Sequence, residues 1–156
     1  MKKILVTGGL GYIGSHTVLK VIEDGYIPII LDNLSNSEIN VLSRLEKLTG
    51  KTIEFYESSL ANQELLDGLF GDHEINSVIH FAAFKAVGES VEKPIKYFSN
   101  NLTSMINLLD IMNRYNCKNF IFSSSCTVYG QPKNIPVTED AAMMPAHSPY
   151  GETKQM

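Results

Sequence analysis

Short apolar runs alternate with longer amphipathic segments along most of the chain. The apolar runs predict five buried strands, with the sequences KILVTG, IPIILD, TIEFYE, SVIHFAA and NFIFSSS. The segments between them predict helices over YIGSHTVLKVIEDG, near EINVLSRLEKLTG, over NQELLDGLFGDH and from Pro94 to about Tyr115. Such alternation predicts an α/β protein with a doubly wound, Rossmann-like parallel sheet, whose strands all end at one ligand-binding edge.

Glycine, serine and proline mark the ends of the predicted helices. Gly25 and Gly50 follow the first two helices, as glycine does at many helix ends. Ser35 to Ser37 offer caps for the second helix. The stretch from Thr127 to Pro149 contains four prolines and predicts a loop. The following YGETKQM predicts the first turn of another helix.

The turn after the first predicted strand, GGLGYIG, has glycines at Gly8, Gly11 and Gly14. A glycine triplet alone is weak evidence, but here a strand precedes it, a helix follows, and Asp32 closes the second strand. This context predicts a dinucleotide site, with the pyrophosphate at the helix N-terminus and the adenosine ribose at Asp32. A carboxylate without a nearby arginine favours NAD over NADP. The alternative is that Asp32 only caps a turn.

Tyr150 and Lys154 stand four residues apart at the start of the last predicted helix. They therefore share one helix face. A neighbouring ammonium favours the phenolate form of a tyrosine, which makes it a better proton shuttle at neutral pH. This spacing also occurs by chance, in which case both side chains belong to an ordinary helix surface.

Composition and charge narrow the choice of partners. The chain has 156 residues and a net charge of −4 without a basic cluster, which argues against a nucleic-acid partner. No apolar run approaches the length of a membrane span, and the start does not have the form of a signal peptide, so we expect a cytoplasmic protein with free thiols. The histidines and cysteines lack metal-ligand spacing, and no metal site is predicted.

Five stretches carry a resemblance to a known family: VTGGLGYIGSHT, LDNLSNS, VIHFAAFKAVGESVEKP, NFIFSSSCTVYG and SPYGETK. Through them the whole chain resembles the extended short-chain dehydrogenase/reductase superfamily, and within it the UDP-glucose 4-epimerase family. The resemblance implies an NAD-dependent epimerisation at C4 of a UDP-hexose, through a 4-keto sugar, in galactose metabolism. Sugar-nucleotide dehydratases fit less well, because they usually have an Asp-Glu pair where this chain has CTVYG.

The resemblance implies a role for individual residues. The implied catalytic residues are Tyr150, Lys154, Ser125 and Thr127, the last two at the end of the fifth strand. The implied cofactor contacts are Gly8, Gly11, Tyr12, Ile13, Gly14, Asp32, Asn33, Leu34, Ser35, Asn36, Ser37, Ser59, Leu60, Phe81, Ala82, Ala83, Phe84, Lys85 and Asn100, together with Ser125, Tyr150 and Lys154. The implied substrate contacts are Lys85, Val87, Ser125, Thr127 and Tyr150, with Gly88, Glu89 and Ser90 nearby. The alternatives are strand-end capping by Ser125 and Thr127, a solvated Lys85 and an ordinary buried Asn100.

Two departures from the family pattern stand out. The family has a Gly-Asp pair after the third strand whose Asp binds the adenine amine; this chain has Ser58 and Ser59, which predicts weaker NAD binding. The family also continues beyond the Tyr-Lys pair. We therefore expect residues 1–156 to be an incomplete NAD-binding domain, ending before a sixth strand and the substrate domain. The family homodimer is then in doubt, and an NAD-binding module without turnover is the alternative function.

Overall fold

Five parallel strands form one sheet in the computed structural model, which describes residues 1–156. The strands are β1 (Lys3–Thr7), β2 (Ile27–Asp32), β3 (Glu54–Glu57), β4 (Ile75–His80) and β5 (Asn119–Phe122). Their spatial order is β3-β2-β1-β4-β5, so the chain reverses direction across the sheet between β3 and β4. The predicted doubly wound sheet is confirmed, and its switch point lies between β1 and β4.

The helices are α1 (Tyr12–Glu23), α2 (Asn40–Thr49), α3 (Gln63–Asp72), α4 (Val87–Glu92), α5 (Pro94–Arg114) and α6 (Pro149–Gln155). A short 3-10 helix covers Cys126–Tyr129. The chain divides into two units. The first comprises Met1–Ala82 and Ser104–Ser123, and the second comprises Ala83–Thr103 and Ser124–Met156.

In the first unit, apolar side chains on both faces of the sheet build the core. Leu5 and Leu31 pack on one face with residues of α3 and α5, and Val6 and Ile30 pack on the other with residues of α1 and α2. Because successive strand residues point to opposite faces, a run such as IPIILD supplies both cores. The buried Cys117 completes the first core.

The second unit is built from short helices and a long loop. The N-cap of α6 is Ser148, whose Oγ accepts a hydrogen bond from the Gly151 N–H at 3.1 Å, and Pro149 occupies the first turn. Gln155 Nε2 donates to the carbonyl oxygens of Val128 and Met144, both at 2.7 Å. Gln155 therefore joins α6 to the 3-10 helix and to the loop that precedes α6.

Several predicted boundaries were wrong. Helix α2 begins at Asn40 after an N-cap residue, Ile39, that makes no side-chain cap, so the serines of 35–37 do not cap it. Strand β4 ends at His80, before the apolar FAA. Strand β5 ends at Phe122, so Ser125 and Thr127 lie beyond the strand that was predicted to carry them. Helix α4 was not predicted, because six residues are too few for a visible helical period.

None of the helices combines the length and the apolar character needed to cross a membrane.

Candidate active site

The turn after β1 brings the backbone unusually close to itself. Gly8 has a φ of +69°, and a Cβ there would lie 2.8 Å from the backbone nitrogen of Ala82, which follows β4. At Gly14, on the first turn of α1, a Cβ would overlap the Gly8 carbonyl oxygen and lie 2.9 Å from the Gly9 Cα. The fold therefore requires glycine at both positions, and it closes the turn tightly over the switch point of the sheet.

Gly11 differs from the other two glycines of the motif. Its φ is −69°, and the only atom within 4 Å of an added Cβ is the Gly8 carbonyl oxygen, at 3.3 Å. Because Gly11 is the N-cap of α1 and has no side chain, no side-chain cap engages the first N–H groups of α1. These groups are available to an anion, as a phosphate site requires.

Asp32 ends β2 with its carboxylate buried and well bonded. One oxygen, Oδ2, accepts from the Leu10 N–H at 3.0 Å. The other, Oδ1, accepts from the Leu34 N–H at 3.0 Å and from the Ser37 hydroxyl at 2.8 Å. Since a carboxylate has about four acceptor positions, one is left for a ribose hydroxyl, and a second bond requires the Ser37 hydroxyl to move away. Asp32 thus organises its turn and retains a place for a ligand.

The neighbouring residues of this turn are more exposed. Asn33 Oδ1 accepts from the Ser35 N–H at 3.1 Å, which is a local turn contact, and Asn36 is exposed. Tyr12 and Ile13, on the first turn of α1, are 80% and 58% exposed. These exposed side chains lie beside the uncapped end of the helix.

The loop after β3 carries two further predicted cofactor residues. Ser59 Oγ accepts from the Ala61 N–H at 3.2 Å, and Leu60 is buried. The Asn107 side chain donates to the Leu60 carbonyl at 3.0 Å and accepts from Gln63 Nε2 at 2.9 Å. A buried hydrogen bond therefore holds the loop to α5, and the same asparagine also bonds to Gln63 at the start of α3.

The segment after β4 is divided between the units. Phe81 and Ala82 belong to the first, where the Phe81 N–H donates to the Thr7 carbonyl at 3.0 Å. Ala83, Phe84 and Lys85 belong to the second. There the Phe84 ring lies 5.7 Å from that of Tyr97, while Lys85 is exposed.

A residue that sequence reasoning missed, Asn101, connects three segments of the second unit. Its Oδ1 accepts from the Phe84 N–H at 2.9 Å, and its Nδ2 donates to the Phe84 carbonyl and to Thr153 Oγ1, both at 3.0 Å. Thr153 in turn donates to the Tyr150 carbonyl at 2.7 Å. The predicted neighbour Asn100 donates its amide to Asn101 Oδ1 at 3.0 Å. No local motif reveals this role, because the partners lie 17 and 52 residues away.

The hydroxyls of Ser125 and Thr127 form one small group. Ser125 is the N-cap of the 3-10 helix, and its Oγ accepts from the Thr127 N–H at 3.3 Å and from the Thr127 hydroxyl at 3.0 Å. Two accepted bonds leave the Ser125 proton free to be donated. A Cβ on Gly151 would lie 3.5 Å from the Thr127 Cβ, so this pair lies against the first turn of α6.

Tyr150 and Lys154 lie one turn apart on α6, and both are buried. Burial disfavours an ammonium and lowers the pKa of Lys154 to about 8. A lysine with such a pKa changes its charge close to physiological pH. The second unit thus brings the predicted tyrosine, lysine, serine and threonine onto two packed elements, α6 and the 3-10 helix.

The predicted substrate-side residues lie on α4 and just before it. Val87 is 48% exposed, Gly88 is exposed and Ser90 is buried. Glu89 Oε1 is 2.8 Å from Lys96 Nζ and 3.4 Å from Lys93 Nζ, and Glu89 Oε2 accepts from the Tyr97 hydroxyl at 2.9 Å. Bonds from Lys96 and Tyr97 lower the pKa of Glu89 to about 2.

This arrangement defines a Rossmann-like α/β protein with a glycine turn at its switch point and a tyrosine–lysine pair on its last helix. The family described as GDP-mannose 4,6 dehydratase matches residues 5–156. The chain belongs to this family.

Individual proteins similar to this chain point to one type of enzyme within the family. The chain is 51% identical over 152 residues to UDP-glucose 4-epimerase of Dictyostelium discoideum, covering 97% of this chain and 44% of that protein. It is 52% identical over 153 residues to UDP-glucose 4-epimerase of Bacillus subtilis, covering 98% and 45%. The crystal structure of UDP-glucose 4-epimerase from Bifidobacterium longum with NAD+ and UDP superposes with a TM-score of 0.96 at 45% identity, covering 98% of this chain and 46% of the other. The predicted resemblance to UDP-glucose 4-epimerases is confirmed, and the chain spans less than half the length of these relatives.

Proposed function

We propose that this chain carries the NAD-binding part and the proton-transfer residues of an enzyme that interconverts UDP-galactose and UDP-glucose. The observation that carries the proposal is the likeness, over nearly the whole chain, to UDP-glucose 4-epimerases, one of them solved with NAD+ and UDP. We propose further that this reaction takes place in the cytoplasm, as part of galactose metabolism. The NAD site and the residue roles below are part of the proposal.

The first unit fits the phosphate and adenosine end of NAD. The uncapped N-terminus of α1 offers N–H groups to the pyrophosphate. Because the N-cap residue Gly11 has no side chain, nothing at that position blocks the approach of a phosphate to these groups. Asp32 has one acceptor position left for a ribose hydroxyl. A 2′-phosphate would meet this carboxylate, so NAD is favoured over NADP.

The second unit supplies groups that hold and move a proton. When bound, NAD+ supplies the reversible hydride acceptor that converts C4 of the hexose to a ketone and back. Tyr150 takes the proton of the sugar's 4-hydroxyl and returns it, and Ser125 donates a hydrogen bond to the same oxygen. Lys154, when charged, adds a positive charge one turn from Tyr150 on the same helix. Both residues are buried on α6.

A second function is NAD binding without turnover. The observation in its favour is that the chain covers only 44% and 45% of the length of two relatives, so more than half of each of those proteins has no counterpart among the compared residues. A protein that binds NAD but does not position a nucleotide sugar lacks the orientation that accelerates the reaction.

One assay separates the two functions. The chain is mixed with NAD+ and UDP-galactose, formation of UDP-glucose is followed, and NAD+ binding is measured by calorimetry. Turnover that disappears in Tyr150→Phe while NAD+ binding persists supports the epimerase. NAD+ binding without turnover in the unchanged chain supports the binding module, and no binding overturns both.

The resemblance also implies a homodimer, which we propose to form along α5. Large apolar side chains on this helix are exposed, among them Ile95 at 83%, Ile106 at 65% and Leu109 at 45%. Sedimentation equilibrium of the chain and of Ile106→Glu tests this, and a monomeric unchanged chain contradicts it.

A further inference from the structure

The loop that follows β3, residues 58–62, carries no charged side chain. It begins directly beside the end of β2, because Glu57 pairs with Asp32 in the parallel ladder and the Ser58 N–H donates to the Asp32 carbonyl at 3.1 Å. In doubly wound sheets the pyrophosphate lies at the first helix and the ribose at the acidic residue that ends the second strand. The next strand end along this edge is that of β3, so the base of a bound adenosine is directed toward this loop.

The loop has a fixed conformation in which a base can be recognised. Leu60 is 3% exposed, and its carbonyl accepts from the buried Asn107 side chain at 3.0 Å. Asn62 caps α3 by accepting from the Leu65 N–H at 3.1 Å. Because the first N–H of the loop is bonded to Asp32, its middle carbonyl to Asn107 and its last side chain to α3, ligand binding does not have to order the loop first.

The polar side chain near the middle of this loop is the hydroxyl of Ser59. Its oxygen accepts from the Ala61 N–H at 3.2 Å, which leaves its proton and a second lone pair available. Such a hydroxyl can accept a hydrogen bond from an amino group or donate one to a keto group. A carboxylate in the same place could only accept, and it would favour an amino group alone.

We propose, on the basis of the NAD-dependent function above, that Ser59 reads the purine with a neutral hydroxyl that both donates and accepts. The chain therefore accepts a dinucleotide whose base carries a keto group about as well as one whose base carries an amine. The specificity of this subsite lies in the ribose and pyrophosphate contacts, and the exocyclic group of the base contributes little to it.

The test compares NAD+ with nicotinamide hypoxanthine dinucleotide by isothermal titration calorimetry. The unchanged chain should bind the two with dissociation constants within about threefold of each other, since either base finds one hydrogen bond. Ser59→Ala should weaken both by a similar factor of about three to ten. Ser59→Asp should bind NAD+ at least about tenfold more tightly than the analogue, because its carboxylate faces a keto oxygen in the latter.

The matched control is Ala61→Asp, which adds the same charge to the same loop at an exposed position. This variant should leave the ratio of the two dissociation constants near that of the unchanged chain. The inference is overturned if the unchanged chain prefers NAD+ by tenfold or more, or if Ser59→Asp leaves the ratio unchanged. If neither dinucleotide binds the unchanged chain, the NAD-dependent function itself is overturned.

Discussion

The glycine turn after β1 and the contacts around Asn101 position functional groups in opposite ways. In the turn, the backbone is placed by the absence of side chains, since a Cβ at Gly8 or Gly14 would overlap other backbone atoms. Around Asn101, the backbone of Phe84 and the start of α6 are placed by one side chain that uses all its donors and acceptors. The glycine turn can be recognised in the sequence as a motif, whereas the contacts around Asn101 correspond to a single asparagine that no motif marks.

We expect Gly14→Ala, in the glycine turn, to lower the free energy of unfolding more than any other substitution discussed below. The added methyl group would overlap the Gly8 carbonyl oxygen and would lie 2.9 Å from the Gly9 Cα. Because both of these atoms belong to the backbone, no side chain can move aside to make room. We expect a loss of more than about 4 kcal/mol in the free energy of unfolding, measured by urea denaturation with circular dichroism. Gly68→Ala, in helix α3 with nothing within 4 Å of its Cβ, is the control and should gain up to about 1 kcal/mol. Equal effects of the two substitutions would contradict the role given to Gly14.

Asn101→Asp breaks the second region with almost no change in shape. The new oxygen would face the Phe84 carbonyl and would also face Thr153 Oγ1, each 3.0 Å from the present Nδ2. We expect a loss of about 2–4 kcal/mol at neutral pH, partly restored in acid when the carboxyl regains a proton to donate. Asn113→Asp, exposed on the same helix, should cost far less. A loss that does not lessen in acid would argue against the hydrogen bonds as its cause.

Lys154→Met tests the buried charge on α6. Burial lowers the pKa of Lys154 to about 8 from 10.5, so its charged form is disfavoured in the folded chain. Between these two pH values the unfolded chain still holds a proton that the folded chain has lost, and the free energy of unfolding rises with pH. We therefore expect Lys154→Met to be more stable than the unchanged chain at pH 7, by about 1–3 kcal/mol, and to lose this advantage by about pH 10.5. Lys51→Met, at an exposed lysine, is the control and should show no such dependence on pH. A constant difference across this range would contradict the assignment.

Glu89→Gln gives the smallest expected effect. The pKa of Glu89 is lowered to about 2, so its contribution to stability is complete above the ordinary value of 4.5 and disappears as pH falls through about 2. We expect Glu89→Gln to melt slightly below the unchanged chain at neutral pH and at the same temperature in strong acid, as followed by circular dichroism. Glu92→Gln, on the exposed side of α4, should melt with the unchanged chain at both pH values. High salt should reduce the Glu89 effect, because the ion pairs with Lys93 and Lys96 are partly exposed.

The sheet, the glycine turn and the end of β2 were largely predictable from sequence. The five strands, the glycine turn and the position of Asp32 follow from short-range patterns: apolar runs, glycine spacing and an acidic residue at a strand end. Helix α4 and the contacts around Asn101 were not predictable in this way. Helix α4 is too short to show a period, and Asn101 is defined by partners distant in the chain. Ser37 was predicted as a helix cap because serine is common there, but its hydroxyl bonds to Asp32 instead.

The two cysteines differ in a way that has a practical use. Cys117 lies in the core, where burial raises the pKa of its thiol, whereas Cys126 is exposed on the 3-10 helix between Ser125 and Thr127. A maleimide fluorophore added at neutral pH should therefore label Cys126 alone, without any mutation. The chain thus contains a natural attachment site for a fluorescent reporter, one residue from Ser125, whose hydroxyl is proposed to bind the sugar.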